Sequence, residues 1–261
     1  MINNVNRVIV GIDISTVCLG ISIVSYDGEK PKLLYISHIK PKISNKKIKG
    51  AEALFIKSKI FKDSFSELCN NLGINKLITD VVIEEPLPGG QNVRTVNTLL
   101  KFNGMISESV YELTNVVPQY ISSYEARKFA FPELMAIRKY NKKGESYCYE
   151  KIKKSIENNE LVLFGNYPYD CAKKYILWNK ISEQYNGIQW IYDKNGELKT
   201  ENFDASDSLV CILGQIGKEK FENSEPKILN FNELKTDSGS NKILYYVEFC
   251  GKQFDKVIEF D

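Results

Sequence analysis

A chain of 261 residues, 43% hydrophobic and 26% charged, has the length of one large domain and the composition of an ordinary folded protein. It has no run of about 18 apolar residues, which excludes a membrane-spanning helix, and its opening MINNVNR has neither the basic nor the apolar part of a secretory leader. A single histidine, His38, and six scattered cysteines with no C-x-x-C pair exclude a His-rich or structural zinc centre, and a net charge of +2 names no partner.

Arg7 to Ile14 and Leu19 to Tyr26 are Val- and Ile-rich runs joined by a short turn, which predicts a hairpin of two buried strands. Asp13 stands inside the first run, and a carboxylate that close to a core finds a partner or loses its charge. Lys32 to Lys40 predicts a third strand carrying His38, which reads as a structural or surface imidazole. The lysine-rich stretch Pro41 to Lys49 leads into a helix over 51–72, with Leu54, Phe61, Phe65, Leu68 and Leu72 on one stripe. Lys76 to Pro86 (KLITDVVIEEP) is a fourth strand that again ends in acid, at Glu84 and Glu85, before PLPGG breaks the chain. A helix over 93–113 turns Val96, Leu99, Leu100, Met105, Ile106 and Val110 toward a core. Val116 to Ser122 predicts a fifth strand running into a short helix, for which Ser122 and Glu125 have capping-box spacing.

Three consecutive strands favour an antiparallel meander, and the later strands, alternating with helices, favour parallel pairing. Together they predict an α/β fold: an RNase H-like mixed five-stranded sheet flanked by helices. Residues 133–203 read as an insertion, with polar helices near 145–158 and 168–185 and an Asn-Gly hairpin in IQWIYDKNGELKT. Asp204 to Lys220 predicts the last helix of the fold, apolar along Leu209, Ile212, Leu213 and Ile216. KILYYVEF and KQFDKVIEF, flanking Cys250-Gly251, predict a terminal β-hairpin, so the expected division is a domain over 1–220 and an extension over 221–261.

Ten lysines face one acid, Glu52, between Lys30 and Lys62, and nine basic residues face three acids between Arg127 and Lys154. Such runs are ordinarily solvated faces, but two of them in a near-neutral protein also suit a phosphate backbone. The candidates for that contact are Lys40, Lys42, Lys46, Lys47 and Lys49 in the loop, with Arg127 and Lys128.

Asp13, Glu84 and the pair Asp204 and Asp207 form the remaining pattern. The pair lies three residues apart, on one face of a helix. With the first and fourth strands adjacent and the last helix across them, four carboxylates converge. Two bare carboxylates at about 4 Å repel by roughly 4 kcal/mol at an effective dielectric near 20, so such a cluster calls for cations. Oxygen-only donors suit Mg²⁺ or Mn²⁺, and two such ions about 3.5–4 Å apart are the clamp of phosphodiester hydrolysis. Singly, each acid has a plainer reading: Asp204 as a helix N-cap with Asp207 favouring the dipole, Glu84 as a solvated strand end, Asp13 as a turn residue. Their joint placement favours the metal reading.

GIDISTVCLGISIV, VVIEEP, YISSYEARKFAF and DASDSLVCIL together resemble, in order, the motifs of RuvC-type Holliday junction resolvases, over residues 7–131 and 200–216. The resemblance implies that Asp13, Glu84, Asp204 and Asp207 bind metal: Asp13 bridging two Mg²⁺ or Mn²⁺ ions, Glu84 and Asp207 completing their shells, Asp204 helping to orient them. It also implies a structure-selective, homodimeric endonuclease for four-way or other branched DNA, while the scattered cysteines in apolar elements, read as reduced core residues, point to the cytoplasm (of a host cell if viral or phage-encoded). Ile14-Ser15 in place of Pro-Gly is nearer phage and poxvirus versions, and Leu87 stands where bacterial enzymes place an aromatic. The segment between EARKFAF and DASD is also longer than theirs. The helix over 93–113, through Phe102, Met105 and Val110, is the expected dimer face. The competing readings are an RNase H-like nuclease for RNA–DNA hybrid or packaging-stage branched DNA, and a non-catalytic junction-binding module.

Overall fold

The computed structural model describes residues 6–45, 47–86, 92–135, 172–223, 227–235, 241–249 and 252–260, together with Glu150, Lys154, Glu157 and Asn158. β1 (Arg7–Ile14), β2 (Leu19–Tyr26) and β3 (Lys32–Ile39) run as an antiparallel meander. Helix α1 (Gly50–Leu72) leads to β4 (Ile78–Glu85), and α2 (Val93–Thr114) leads to β5 (Gln119–Ser122). β4 pairs parallel with β1, and β5 parallel with β4, giving the order β3-β2-β1-β4-β5. This is the mixed, helix-flanked sheet of the RNase H-like fold.

The two faces of the sheet differ in kind. Val8, Val10 and Ile12 of β1, Leu19, Ile21 and Ile23 of β2, and Val81 and Ile83 of β4 form one face. They are buried with Leu54, Phe61 and Phe65 of α1 and Phe102, Ile106 and Val110 of α2. Burial of side chains this size is worth about 1.5–3 kcal/mol each, so this layer is the core. Residues of opposite parity, Gly11 and Asp13 on β1 with Gly20 and Ser22 on β2, turn to the other face. There they meet α5 (Glu201–Asn223), so closely that no side chain fits between: a Cβ on Gly11 would lie 2.2 Å from the Ser208 carbonyl oxygen, and one on Gly20 1.8 Å from that of Asp204. The Ser22 and Ser208 hydroxyls hydrogen-bond at 2.7 Å inside this seam.

Several expectations need correcting. Leu72 and Leu100 fall outside the buried stripes of their helices, at 38% and 51% exposure. Phe102 and Val110 are fully buried and Met105 packs on the same core, so these three are not open to a second subunit. α5 begins at Glu201 rather than Asp204, which puts Asp204 in its first turn and not at the cap. The terminal hairpin is a three-stranded antiparallel meander, because Lys227–Lys235 (β6) pairs with β7 (Asn241–Phe249), which pairs with β8 (Lys252–Phe260).

Ser122 and Glu125 do cap α3 (Ser123–Ala130): the Glu125 amide donates to the Ser122 hydroxyl, which donates in turn to the Glu125 carboxylate. Within the insertion, α4 covers Lys173–Gln184, and the Asn-Gly turn closes a small hairpin through the bridge between Tyr192 and Leu198. The helix expected over 145–158 lies almost wholly outside the described residues, as does Leu87. By its contacts the chain divides into two compact units, one of Met1–Ala126 with Lys174–Leu213, the other of Arg127–Lys173 with Gly214–Asp261.

At the end of the sheet where β1 and β4 begin, Arg7 holds Asp80 through two hydrogen bonds of 2.9 and 2.8 Å. Burial alone would raise the Asp80 carboxyl, but hydrogen bonds from Arg7 and Thr79 and the Arg7 charge outweigh it and keep it below the usual carboxylate range. A depressed carboxyl stabilises the fold above its unfolded pKa of about 4 and loses that contribution as pH falls through the folded value. Asp80→Asn is therefore expected to cost about 1 kcal/mol at pH 7 and progressively less below about pH 4. Urea denaturation of both proteins at pH 7 and pH 3 measures the difference.

Candidate active site

Asp13, the last but one residue of β1, pairs across the ladder with Gly20 of β2. On its other side β4 runs parallel, with Gly11 opposite Val82 and Ile12 opposite Ile83. The next step of that register sets Glu84 beside Asp13, and the alternation of side chains puts the two on the same face. Glu85, one residue on, is exposed and belongs to the opposite face. α5 crosses that first face over Gly20, and its first turns carry Asp204, half-buried, and Asp207, at 7% exposure.

The electrostatics agree with this placement. The Asp13 carboxyl lies well above its ordinary range, first through burial and then through the charges of Glu84, Asp207 and Asp204, with Lys174 pulling the other way. Glu84, Asp204 and Asp207 thus each act on the charge of Asp13. Among the described residues, however, no three His, Cys, Asp or Glu side chains stand close enough to hold a metal ion. The donor set, four carboxylates with an excess of negative charge around a crowded Asp13, fits a hard divalent cation.

Residues around the cluster extend it. The buried Cys18 thiol is pushed up to about 12, by burial first and then by its hydrogen bond to the Asp204 side chain and that residue's charge. Burial pushes the Cys69 thiol up to about 11. Since the thiolate is the reactive form, neither is expected to be alkylated by iodoacetamide at pH 8 in the native protein, whereas both react once it is unfolded; peptide mass spectrometry reads the two sites separately.

His38 faces Gly20 from β3, in the same cross-strand row as Asp13. Burial, then the Lys40 and Lys199 charges, hold its imidazole below the ordinary value against the opposing pull of Asp204. Arg94, at the start of α2, lines a groove with Ser15 and Thr16, the residues that follow β1.

The basic candidates fare unequally. Lys42, Lys47 and Lys49 are exposed, Lys40 is ion-paired with Glu201, and Lys46 lies outside the described residues. Arg127 and Lys128 are half-buried members of the other compact unit, with the Lys128 Nζ 4.9 Å from the Phe129 ring centre and 5.8 Å from that of Phe221. Lys174 and Arg94 escaped the sequence reading. Lys174 is the second residue of α4 in the insertion, where only the pair Lys173-Lys174 stood as a signal, and Arg94 is an isolated charge near a helix start.

No protein-family model matches the sequence, and no curated protein matches it. Among solved structures the chain is similar to Thermus thermophilus RuvC, at 14% identity and a TM-score of 0.43, over 83% of this chain and 97% of that one. It is similar to T. thermophilus RuvC in complex with Holliday junction substrate, at 11% identity and a TM-score of 0.45, over 82% and 96%. It is similar also to the yeast mitochondrial Holliday junction resolvase Ydc2, at 12% identity and a TM-score of 0.43, over 81% and 78%. These likenesses concern the fold alone. No helix among the described residues is long and apolar enough to cross a membrane.

Proposed function

We propose that the protein is a divalent-metal-dependent endonuclease for branched DNA, with the four-way junction as its foremost substrate. The observation that carries this reading is the gathering of Glu84, Asp204 and Asp207 around the crowded Asp13, at the end of the sheet where β1 and β4 both stop. Asp13, Glu84, Asp204 and Asp207 would hold Mg²⁺ or Mn²⁺, two ions per site, and the bound metal would supply the charge that makes water a nucleophile at neutral pH and stabilises the leaving oxygen. Lys174 offsets part of the negative field. The exposed Lys42, Lys47 and Lys49, together with Arg94, offer cations to the backbone on either side of the cut.

A four-way junction needs two cuts on opposing strands and one site makes one, so the working form is a two-fold dimer. With Phe102 and Val110 in the core, the face of α2 left to a second copy is the outward one, with Leu100 at 51% and Tyr111 at 46% exposure. Light scattering tests this: a mass near the 29.9 kDa monomer both free and on junction DNA would exclude the dimer. For the activity, equal amounts of four-way junction, splayed arm, linear duplex and RNA–DNA hybrid are offered with Mg²⁺. Paired nicks in the junction ahead of the other three are expected. Preference for the hybrid would replace the resolvase reading with another RNase H-like nuclease, and binding without nicking would leave a non-catalytic module.

A further inference from the structure

Both tryptophans of the chain lie in one small piece of the insertion, in a setting that the acid cluster does not require. Trp178 of α4 meets Trp190 edge-on at 5.9 Å, which ties the helix to the hairpin around the Asn-Gly turn. Asn202 at the head of α5 ties that hairpin down: its amide donates to the Ile191 carbonyl at 2.6 Å and accepts from the Ile191 amide at 3.0 Å. The Asp193 carboxylate accepts from the Asn195 and Glu197 amides and sets the turn. The frame is thus well ordered, yet it leaves large rings in water. Tyr175, three residues before Trp178 and therefore on the same helix face, is 52% exposed although its ring contacts Phe203 at 4.9 Å; Tyr192, two residues after Trp190, is 50% exposed. Among the described residues the buried Trp178 indole Nε1 finds no hydrogen-bond partner.

The plain account, a satellite core that anchors the insertion, explains the buried Leu177 and Ile181 of α4. It does not explain half-exposed tyrosines flanked by exposed lysines. Tyr175 rests on Phe203, the residue before Asp204, so this end of α4 lies beside the first turn of α5, with Lys174 next to it; Lys199 stands across the hairpin from Ile191, whose carbonyl accepts from the Lys199 amide at 3.1 Å. Rings with a free face interleaved with cations are what unpaired nucleotides recognise, since every base can stack and every phosphate is anionic. A base-paired duplex keeps its faces covered and offers only its backbone.

We infer that α4 and the 190–199 hairpin form a stacking platform for unpaired bases of a DNA strand, on Tyr175 and Tyr192 with Lys174 and Lys199 at its phosphates. This rests on the nuclease reading for its DNA substrate, and it adds the part of the substrate that is held: the strand where pairing is interrupted, beside the bond to be cut.

Trp178 and Trp190 report on their own surroundings, so intrinsic fluorescence is the measurement. With EDTA present to prevent cleavage, the protein is titrated with a 12-nucleotide oligo-dT and with a blunt duplex of matched charge, its strands joined by a non-nucleotide ethylene-glycol linker so that no base is unpaired. Oligo-dT should quench the emission and bind about tenfold or more tighter than the duplex. Tyr192→Ala, at a half-exposed position whose bridge to Leu198 is made by the backbone, should weaken oligo-dT by about tenfold, and Tyr192→Phe, which keeps the ring, should restore it. No quenching, equal affinity for duplex, or unchanged affinity in Tyr192→Ala would each overturn the inference. Because no metal is used, a protein that fails here yet nicks four-way junctions with Mg²⁺ loses only the platform; one that binds oligo-dT as expected but never nicks loses the nuclease reading and keeps it.

Discussion

Asp13→Asn is expected to lower Mg²⁺-dependent nicking by about 10³-fold or more, while junction affinity stays near wild type and the metal-free protein melts no lower. A metal ligand contributes several kcal/mol to transition-state charge, and each 1.36 kcal/mol is tenfold in rate, which sets that magnitude. The unusual part is the melting temperature. Removing a half-buried polar group ordinarily destabilises, but the Asp13 charge is opposed by burial and by Glu84, Asp207 and Asp204, so an amide of the same shape relieves more than it loses. In wild type, Mg²⁺ at about 100 times its Kd should add roughly 2.7 kcal/mol of stability through binding to the native state alone; the variant should gain much less. Thermal melts with EDTA and with Mg²⁺, beside a nicking assay, give all three numbers. Near wild-type cutting would remove Asp13 from the metal site. A large fall in melting temperature would mean that its carboxylate is a structural acceptor.

Gly20→Ala is expected to cost at least about 3 kcal/mol and to abolish nicking with it. The added methyl would sit 1.8 Å from the Asp204 carbonyl oxygen and 2.3 Å from its carbon, and neither atom belongs to a side chain that can swing away. Helix α5 has to lift, and Asp204 and Asp207 leave Asp13 when it does. Gly11→Ala meets the Ser208 carbonyl oxygen at 2.2 Å and should behave alike. Gly104 supplies the contrast: it lies on the exposed side of α2, where an added methyl would meet nothing within 4 Å, and replacing it with Ala should add about 0.5–1 kcal/mol. Urea denaturation of the three variants decides the matter. A Gly20→Ala protein within about 0.5 kcal/mol of wild type would show that the helix is not seated on the sheet in this way.

What could be read beforehand depended on how local the cause was. β1 and β2 begin and end where their Val and Ile runs do, because buried strands are set by their own side chains. Asp13, Glu84, Asp204 and Asp207 stood out because each is an acid at the end of an apolar element, a conflict visible in one dimension. Gly11 and Gly20, by contrast, resembled any glycine in a strand; that they admit α5 depends on what lies opposite, in a distant part of the sequence. The outward turn of Leu100 has the same origin, since α2 has more apolar positions than the sheet can cover. β6 escaped because its alternation is interrupted by a register shift between Ile228 and Asn230. Lys174 acts at the acid cluster from a helix that carries no apolar stripe of its own strong enough to fix its place.

For the nuclease proposed above, the backbone-to-backbone seam under α5 would also set which partner must move on binding DNA. A helix seated on glycines and locked by the Ser22–Ser208 hydrogen bond cannot slide toward a phosphate, and a one-turn step of about 5.4 Å would take both its aspartates out of register. The deformation therefore falls on the nucleic acid. Smooth bending of 20–30 base pairs costs on the order of 1–6 kcal/mol, which a linear duplex must supply in full, whereas a branch point is already hinged and supplies almost none. For the nuclease proposed above, selectivity for branched DNA would then need no reading of bases: a stiff acid cluster would rank its substrates by their compliance.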